Sequence, residues 1–373
     1  MNKKLLHTPE GVRDIYGNEY AKKLAVESRL QEVIKGYGYE DIQTPTFEFF
    51  DVFSSNIGTT PSNELYKFFD KEGNTLVLRP DFTPSIARCA AKYFMEEQVP
   101  IRFSYNGNTF SNNSNLQGKL KEVTQMGAEL INAPSVEADA EIISLVIEAL
   151  KNTGLQRFQV TIGDVDYFKG LCEEAGLDEA TEYELRNCIS GRNYFAAQEL
   201  LAEREVKEPY RTTLLMLADM FEARESLSDA REMVKNQRSL AALDRLEKLY
   251  EVLKLYGVEE YVSFDLGMLS NYNYYTGVIF KAYTYGVGDA VVKGGRYDNL
   301  LQKFGKDAAA IGFVIVVDDL MEALSRQKVE VALPDKKQTI YYQADDSADF
   351  AAKLQQAKEL RKQGVAVELL AEQ

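Results

Sequence analysis

IRFSYNGNTFSNNSNLQGKLKEVTQMGAEL, residues 101–130, reads as two strands joined by a polar loop. On the first strand Ile101, Phe103 and Tyr105 share one face; the second runs from Leu120 towards Leu130. The connection SNNSNLQGK consists of residues that suit turns, with Leu116 its only apolar member. Period-two alternation puts Gln125, Gly127 and Glu129 on one face of the second strand. Lacking a side chain, Gly127 leaves an open slot between an amide and a carboxylate, a floor for a small cationic or hydrogen-bonding ligand. The same alternation also describes the solvated outer face of a hairpin, the commoner origin of such a pattern.

On the N-terminal side, TPEGVRDIYG is a turn-rich lead-in. A helix follows, with Leu30, Val33, Ile34 and Tyr37 on one stripe and Gly36 and Gly38 to end it. YEDIQTPTFEFFDVF gives a strand and a proline-marked turn; YKFFD and TLVLRP give strands around the turn KEGN, and SIARCAAKYF a helix. Between that last strand and that helix, Asp81 and Thr83 share a face if the segment stays extended, setting a carboxylate beside a hydroxyl. An ordinary N-terminal helix cap is the alternative.

On the C-terminal side, residues 136–151 form a helix apolar on most sides, the pattern of a buried helix, and RFQVTIGD is a strand. Strand signals then vanish, and helix patterns dominate as far as Gly257. In the last of these Leu243, Leu246, Tyr250 and Leu253 share a face, with Leu249 and Tyr256 beside them. Strands return with YVSFDLGML, NYNYYTGVIFKAYTY and DAVVKGGRYDNLL, where Tyr272, Tyr274 and Tyr275 suggest core packing with hydroxyls at the rim. Gly294 and Gly295 mark a bulge or a close approach of ligand to backbone. AIGFVIVVDDLMEAL is a strand running into a helix. Beyond Pro334 one βαβ unit remains, whose helix has Phe350, Leu354, Ala357 and Leu360 facing inward and is ended by Gly364. The domain reading is therefore a core in residues 1–166 and 261–330, a helical insertion in 167–260, and a tail in 335–373.

Composition narrows the function classes. The 373 residues, 45% hydrophobic and 27% charged, suit an ordinary soluble globular chain. Lys plus Arg is 43 against 58 Asp plus Glu, and a net charge of −15 gives little attraction for phosphate backbones. No run is long and apolar enough for a membrane span, and MNKKLLHTPEGVRD lacks the core of a signal peptide. Cys89, Cys172 and Cys188 fit no metal template and read as reduced thiols of a cytoplasmic protein. With His7 the only histidine, a Ser–His–Asp triad, a Cys–His pair and a multi-histidine metal site are all excluded.

The order TPEGVRD, LRPDFTPSIAR, GKLKEVTQMGAEL, NYNYYTGVIF, GGRYD and AIGF resembles the catalytic core of histidyl-tRNA synthetases, and is most similar to their paralogue family, the regulatory subunits of ATP phosphoribosyltransferase. It covers nearly all of residues 8–325 outside the helical insertion. The implied fold is α+β: a class II aminoacyl-tRNA synthetase-like core, a mostly antiparallel sheet flanked by helices, usually dimeric through the N-terminal motif. The tail resembles half of the α/β domain with which the synthetases read the anticodon. Carried over residue by residue, the resemblance implies that Asp81, Thr83 and Gln125 receive the α-ammonium of free histidine. It further implies that Glu129 faces the imidazole and that Tyr274 and Tyr275 shape the side-chain pocket. Acceptors clustered without a basic partner agree with this, because they favour an ammonium ion.

Departures from the family separate a sensor from an enzyme. Adenylation needs fixed cations around the α-phosphate. The family's arginines would fall at Ser111, Ser270 and Asp319, where the chain has two hydroxyls and a carboxylate. Lys119, Lys121, Arg79 and Arg296 are the remaining candidates to compensate. The resemblance then implies a non-catalytic regulatory subunit, without cofactor or metal, that binds histidine. It would confer activation and feedback inhibition on the short-form ATP phosphoribosyltransferase catalytic subunit, as a homodimer within the complex, without tRNA or membrane. A divergent histidyl-tRNA synthetase and a free-standing amino-acid-binding module are the alternatives.

Overall fold

The structure, a computed structural model, describes residues 6–54, 60–112, 120–191, 193–217, 226–269, 274–333 and 337–372. The polar loop around Leu116, Lys119, Ser270, Tyr272 and Pro334 lie outside these residues. By contacts the chain divides into two units, residues 1–15 with 26–330, and residues 16–25 with 331–373.

In chain order the strands of the larger unit are β1 (Glu40–Asp41), β2 (Phe47–Phe49), β3 (Lys67–Phe69), β4 (Thr75–Leu78), β5 (Ile101–Phe110), β6 (Glu122–Ile131), β7 (Phe158–Asp164), β8 (Val262–Phe264), β9 (Val278–Thr284), β10 (Val292–Arg296) and β11 (Ala310–Val316). Eight of them make one sheet in the order β1-β5-β6-β11-β10-β9-β7-β8. Only the β1–β5 and β7–β8 pairs are parallel. A small antiparallel sheet, β2-β4-β3, stands apart. The expected hairpin is β5–β6, pairing Phe103 with Glu129, Tyr105 with Gly127 and Gly107 with Gln125. Directly opposed residues project to the same side of a sheet. The apolar stripe of the first strand and the polar stripe of the second therefore share a face.

Helix α1 (Gly17–Gly36) crosses the division between the units. Helix α2 (Thr83–Tyr93) brings Phe82, Ile86 and Ala90 onto Ile101, Phe103, Tyr105 and Tyr297, and so covers part of the hairpin face. Helix α3 (Val136–Asn152) is buried on most sides, as its all-round apolar pattern implies, and is capped by Ser135, whose hydroxyl accepts from the Ala138 N–H. It packs on β11. Between β7 and β8 the described residues form helices only: α4 (Val165–Glu174), α5 (Glu179–Ser190), α6 (Tyr194–Glu203), α7 (Tyr210–Met216), α8 (Ser226–Glu232) and α9 (Gln237–Tyr256). Along α9, Leu243, Leu246, Leu249 and Leu253 are buried, Tyr250 meets Phe264 edge-on, and Tyr256 is exposed. Gly257, at φ 68°, turns left-handed and ends the helix by donating to the Leu253 and Lys254 carbonyls.

One carboxylate joins the helices to the sheet. Asp139 in the first turn of α3 is fully buried and accepts from Arg296 Nε at 2.6 Å and from Arg245 Nε of α9 at 2.7 Å. Arg245 also donates to the Pro134 carbonyl at 3.0 Å.

The last helix of the larger unit is α10 (Val317–Arg326), which continues directly from β11 and packs on β6. In the smaller unit, β12 (Gln338–Tyr342) and β13 (Val367–Ala371) are parallel and α11 (Ser347–Lys362) connects them. Asp346 caps α11, accepting from the Ala348 and Asp349 N–H groups. Of the four α11 residues expected inward only Ala357 is fully buried; Phe350 stays partly exposed and leans edge-on against Tyr342. No helix among the described residues is long and apolar enough to cross a membrane.

Removing one partner of a buried charge pair strands the other, at about 3–5 kcal/mol. Asp139→Ala leaves Arg296 and Arg245 without their shared carboxylate, and the urea midpoint should fall accordingly. An unchanged midpoint would mean that the pair is not holding α9 to the sheet.

Candidate functional site

Face-sharing along β6 and the return of the chain through β11 and β10 produce a cavity. All six residues singled out from the sequence, Asp81, Thr83, Gln125, Glu129, Tyr274 and Tyr275, line one space of about 120 Å³. Gly312 and Val314 of β11 and Lys293 and Gly295 of β10 complete its floor, with Tyr297 just beyond β10. Register explains the assembly: Glu129 lies opposite Gly312, which lies opposite Gly295, and Gly127 lies opposite Val314, which lies opposite Lys293.

Glu129 is the centre of this arrangement and is 1% exposed, so the hairpin face is not solvated. Its Oε1 accepts from the Thr83 hydroxyl at 2.7 Å, and its Oε2 accepts from the Tyr297 phenol at 2.5 Å. Burial raises the carboxyl from its ordinary 4.5 to about 8; the two hydrogen bonds pull the other way, and the charge of Asp81 adds to the rise. Burial also lifts the Tyr105 and Tyr297 phenols well above their usual range, so both remain protonated donors.

Two local expectations are corrected. The segment holding Asp81 and Thr83 does not stay extended: Phe82 is helical at φ −99° and ψ −30°, and Thr83 is the first residue of α2. Nor does a side chain cap this helix. Thr83 is free to reach the cavity because the helix starts on a proline-bearing turn, where the leading backbone N–H groups lack intrahelical partners anyway. The slot over Gly127 is also not open. Tyr105 fills it, stacked on Phe82 with ring centroids 4.3 Å apart and donating to the Phe313 carbonyl at 3.2 Å. A Cβ at position 127 would lie 2.4 Å from that phenol oxygen, so glycine here makes room for protein rather than for ligand.

The remaining walls are aromatic rings and an amide. Tyr274 meets Tyr297 edge-on at 6.0 Å and tilts against Tyr275 at 4.7 Å, just before β9 begins. Gln125 Oε1 is buried with no hydrogen-bond partner among the described residues, an acceptor that a donor in the cavity would satisfy. Among the lining residues that sequence reasoning missed, besides Tyr297, is Lys293. Its place on the floor follows from strand register between β10 and β11, and the only sequence signal near it was the following Gly-Gly pair.

The compensating arginines are committed to the scaffold. Arg79 donates to the Asn108 carbonyl at 2.9 Å and the Thr44 carbonyl at 3.0 Å, with its guanidinium 4.0 Å above the Phe82 ring. Arg296 is spent on Asp139, Asp298 and the Ala133 carbonyl. Lys121 lays its aliphatic stem over Gly11. Asp319 is in the first turn of α10, where burial and then Asp289 raise its pKa, and neighbouring Asp318 accepts from the Thr124 N–H at 2.7 Å. This end of the sheet is acidic.

A mixed, largely antiparallel sheet with this strand order and this cavity defines a class II synthetase-like core, and the family profile for histidyl-tRNA synthetase matches residues 11–320. The chain is 41% identical over 364 residues to an ATP phosphoribosyltransferase regulatory subunit of Acetivibrio thermocellus, covering 98% of this chain and 86% of that one. A protein of the same description from Ruminiclostridium cellulolyticum is 38% identical, with 99% and 87% covered. A crystal structure from Bacillus halodurans, described as an ATP phosphoribosyltransferase regulatory subunit/histidyl-tRNA synthetase, superposes with a TM-score of 0.88 at 34% identity, over 98% of this chain and 93% of that one. The chain belongs to the histidyl-tRNA synthetase-like family of ATP phosphoribosyltransferase regulatory subunits.

The raised carboxyl has a thermodynamic signature. Folding draws a proton onto Glu129 between pH 4.5 and about 8, so its contribution is complete below that window and is lost as pH rises through it. Glu129→Gln should flatten the decline of stability across the window by up to about 1.4 kcal/mol per pH unit. Urea midpoints of both proteins at the two ends of the window test this; parallel profiles would place the Glu129 pKa near its ordinary value.

Proposed function

We propose that this chain is the regulatory, non-catalytic subunit of an ATP phosphoribosyltransferase, acting in the first step of histidine biosynthesis. Its cavity binds free histidine. Asp81, Thr83 and Gln125 take the α-ammonium, Glu129 faces the imidazole, and Tyr274 and Tyr275 enclose the ring. The partner is the short-form catalytic subunit, which joins ATP to phosphoribosyl pyrophosphate; this chain activates it and transmits inhibition by histidine. Linkage supplies the mechanism: histidine favours one conformation or assembly geometry of the complex, and the partner's activity follows.

The observation that carries this reading is an intact set of acceptors beside arginines consumed by the scaffold. Gln125 Oε1, Glu129 and Asp81 converge on one cavity, while Arg79 and Arg296 are bound to carbonyls and carboxylates. A pocket that hydrogen-bonds both imidazole nitrogens also rejects isosteres strongly. Homodimerisation through the N-terminal part is supported by the exposed rings of Phe47, Phe49 and Phe69 on the small sheet, an apolar surface of the kind that marks interfaces. A reducing, cytoplasmic setting is supported by three free cysteines.

Added to the short-form catalytic subunit, the chain should confer activity and sensitivity to histidine. Asp81→Asn removes one charge-assisted hydrogen bond, about 1.5–3 kcal/mol, so the inhibitory histidine concentration should rise ~10- to 100-fold with activation retained. Histidine-dependent ATP–pyrophosphate exchange by the chain alone would overturn the assignment.

A further inference from the structure

We propose that Lys293, backed by Lys281, is the receptor for the carboxylate of the bound amino acid, so that the cavity reads both charged ends of its ligand. This rests on the reading of the cavity as an amino-acid site and adds to it the residue that distinguishes an amino acid from an amine.

A free amino acid carries a carboxylate as well as an ammonium. Receptors for the ammonium alone would leave that carboxylate desolvated and unmatched, a costly outcome in a half-closed site. Among the described residues lining the cavity, Lys293 is the one basic side chain, against the acidic Asp81 and Glu129. Its position suits the task. From Glu129 the sheet runs through Gly312 to Gly295, and Lys293 lies one side-chain repeat from Gly295 on the same face. That separates the two backbones by two strand spacings, about 10 Å, and one repeat, about 7 Å. Both side chains line the cavity, and the bound amino acid would lie between them.

Strand β9 adds a second ammonium. Lys281 lies directly opposite Lys293 across the β9–β10 pair. Like charges in that relation destabilise a sheet, and an anion between them reverses the sign. Lys281 makes no ion pair with another described residue, and burial, then Lys293, lower its pKa. Lys293 itself holds Asp289 at 2.8 Å, a pair whose carboxylate is 53% exposed. An ion pair this exposed contributes little by itself.

Calorimetry with L-histidine and L-histidinol, which has a hydroxyl in place of the carboxylate, tests the assignment on the full chain. The native protein should prefer histidine ~10- to 100-fold, the discrimination expected from one charged hydrogen bond. Lys293→Met should abolish that preference while histidinol binds as before, which also reports a folded pocket; Lys293→Arg should restore most of it. If Lys293→Met keeps the full preference, the carboxylate is received elsewhere and the inference fails, with the histidine-binding reading intact. Native protein that binds neither compound overturns both.

Discussion

A buried carboxyl tied to two hydroxyls is the constraint on which the site depends. Thr83, Glu129 and Tyr297 come from a helix start, a central strand and the segment after another strand, and they meet only because the sheet brings β6, β11 and β10 side by side. The approach is close enough to dictate sequence. A Cβ at Gly312 would lie 1.6 Å from Glu129 Oε2, so the strand beneath the carboxyl has to be bare. Both oxygens are held by hydroxyl donors, and burial raises the carboxyl to about 8.

Around this point the charges fall into two populations. The arginines face inward and hold backbone: Arg79 closes the entry to α2, and Arg296 fixes the end of β10. What faces the cavity is carboxylate, amide, phenol and ammonium. Asp318 and Asp319 stand at the start of α10, a setting that repels a triphosphate, and Arg79 and Arg296 are engaged with protein oxygens.

Much of this was legible in the chain. Alternation along 101–130 put Gln125 and Glu129 on one face, and that face lines the cavity. The all-round apolar helix at 136–151 is buried, and the strand-free interval before β8 is helical among its described residues. What escaped reading depends on pairing between strands distant in sequence. Nothing local announces that Lys293 lies beside Lys281, or that Tyr105 reaches across Gly127 to a carbonyl 208 residues away. Arg79 likewise looks available in the sequence, and only the fold reveals that three carbonyls claim it. The start of α2 was misjudged for another reason. Alternation holds only within a strand, and β4 ends at Leu78; by Phe82, between Asp81 and Thr83, the backbone has already turned helical.

Asp139 ties the cavity to the helices between β7 and β8. Its two oxygens are shared between Arg296, whose chain neighbours Gly295 and Tyr297 line the cavity, and Arg245 of α9. The rim of the cavity and the far helix thus hang on one pivot. A carboxylate held on both oxygens cannot move toward one arginine without loosening the other, so the end of β10 and helix α9 are fixed together.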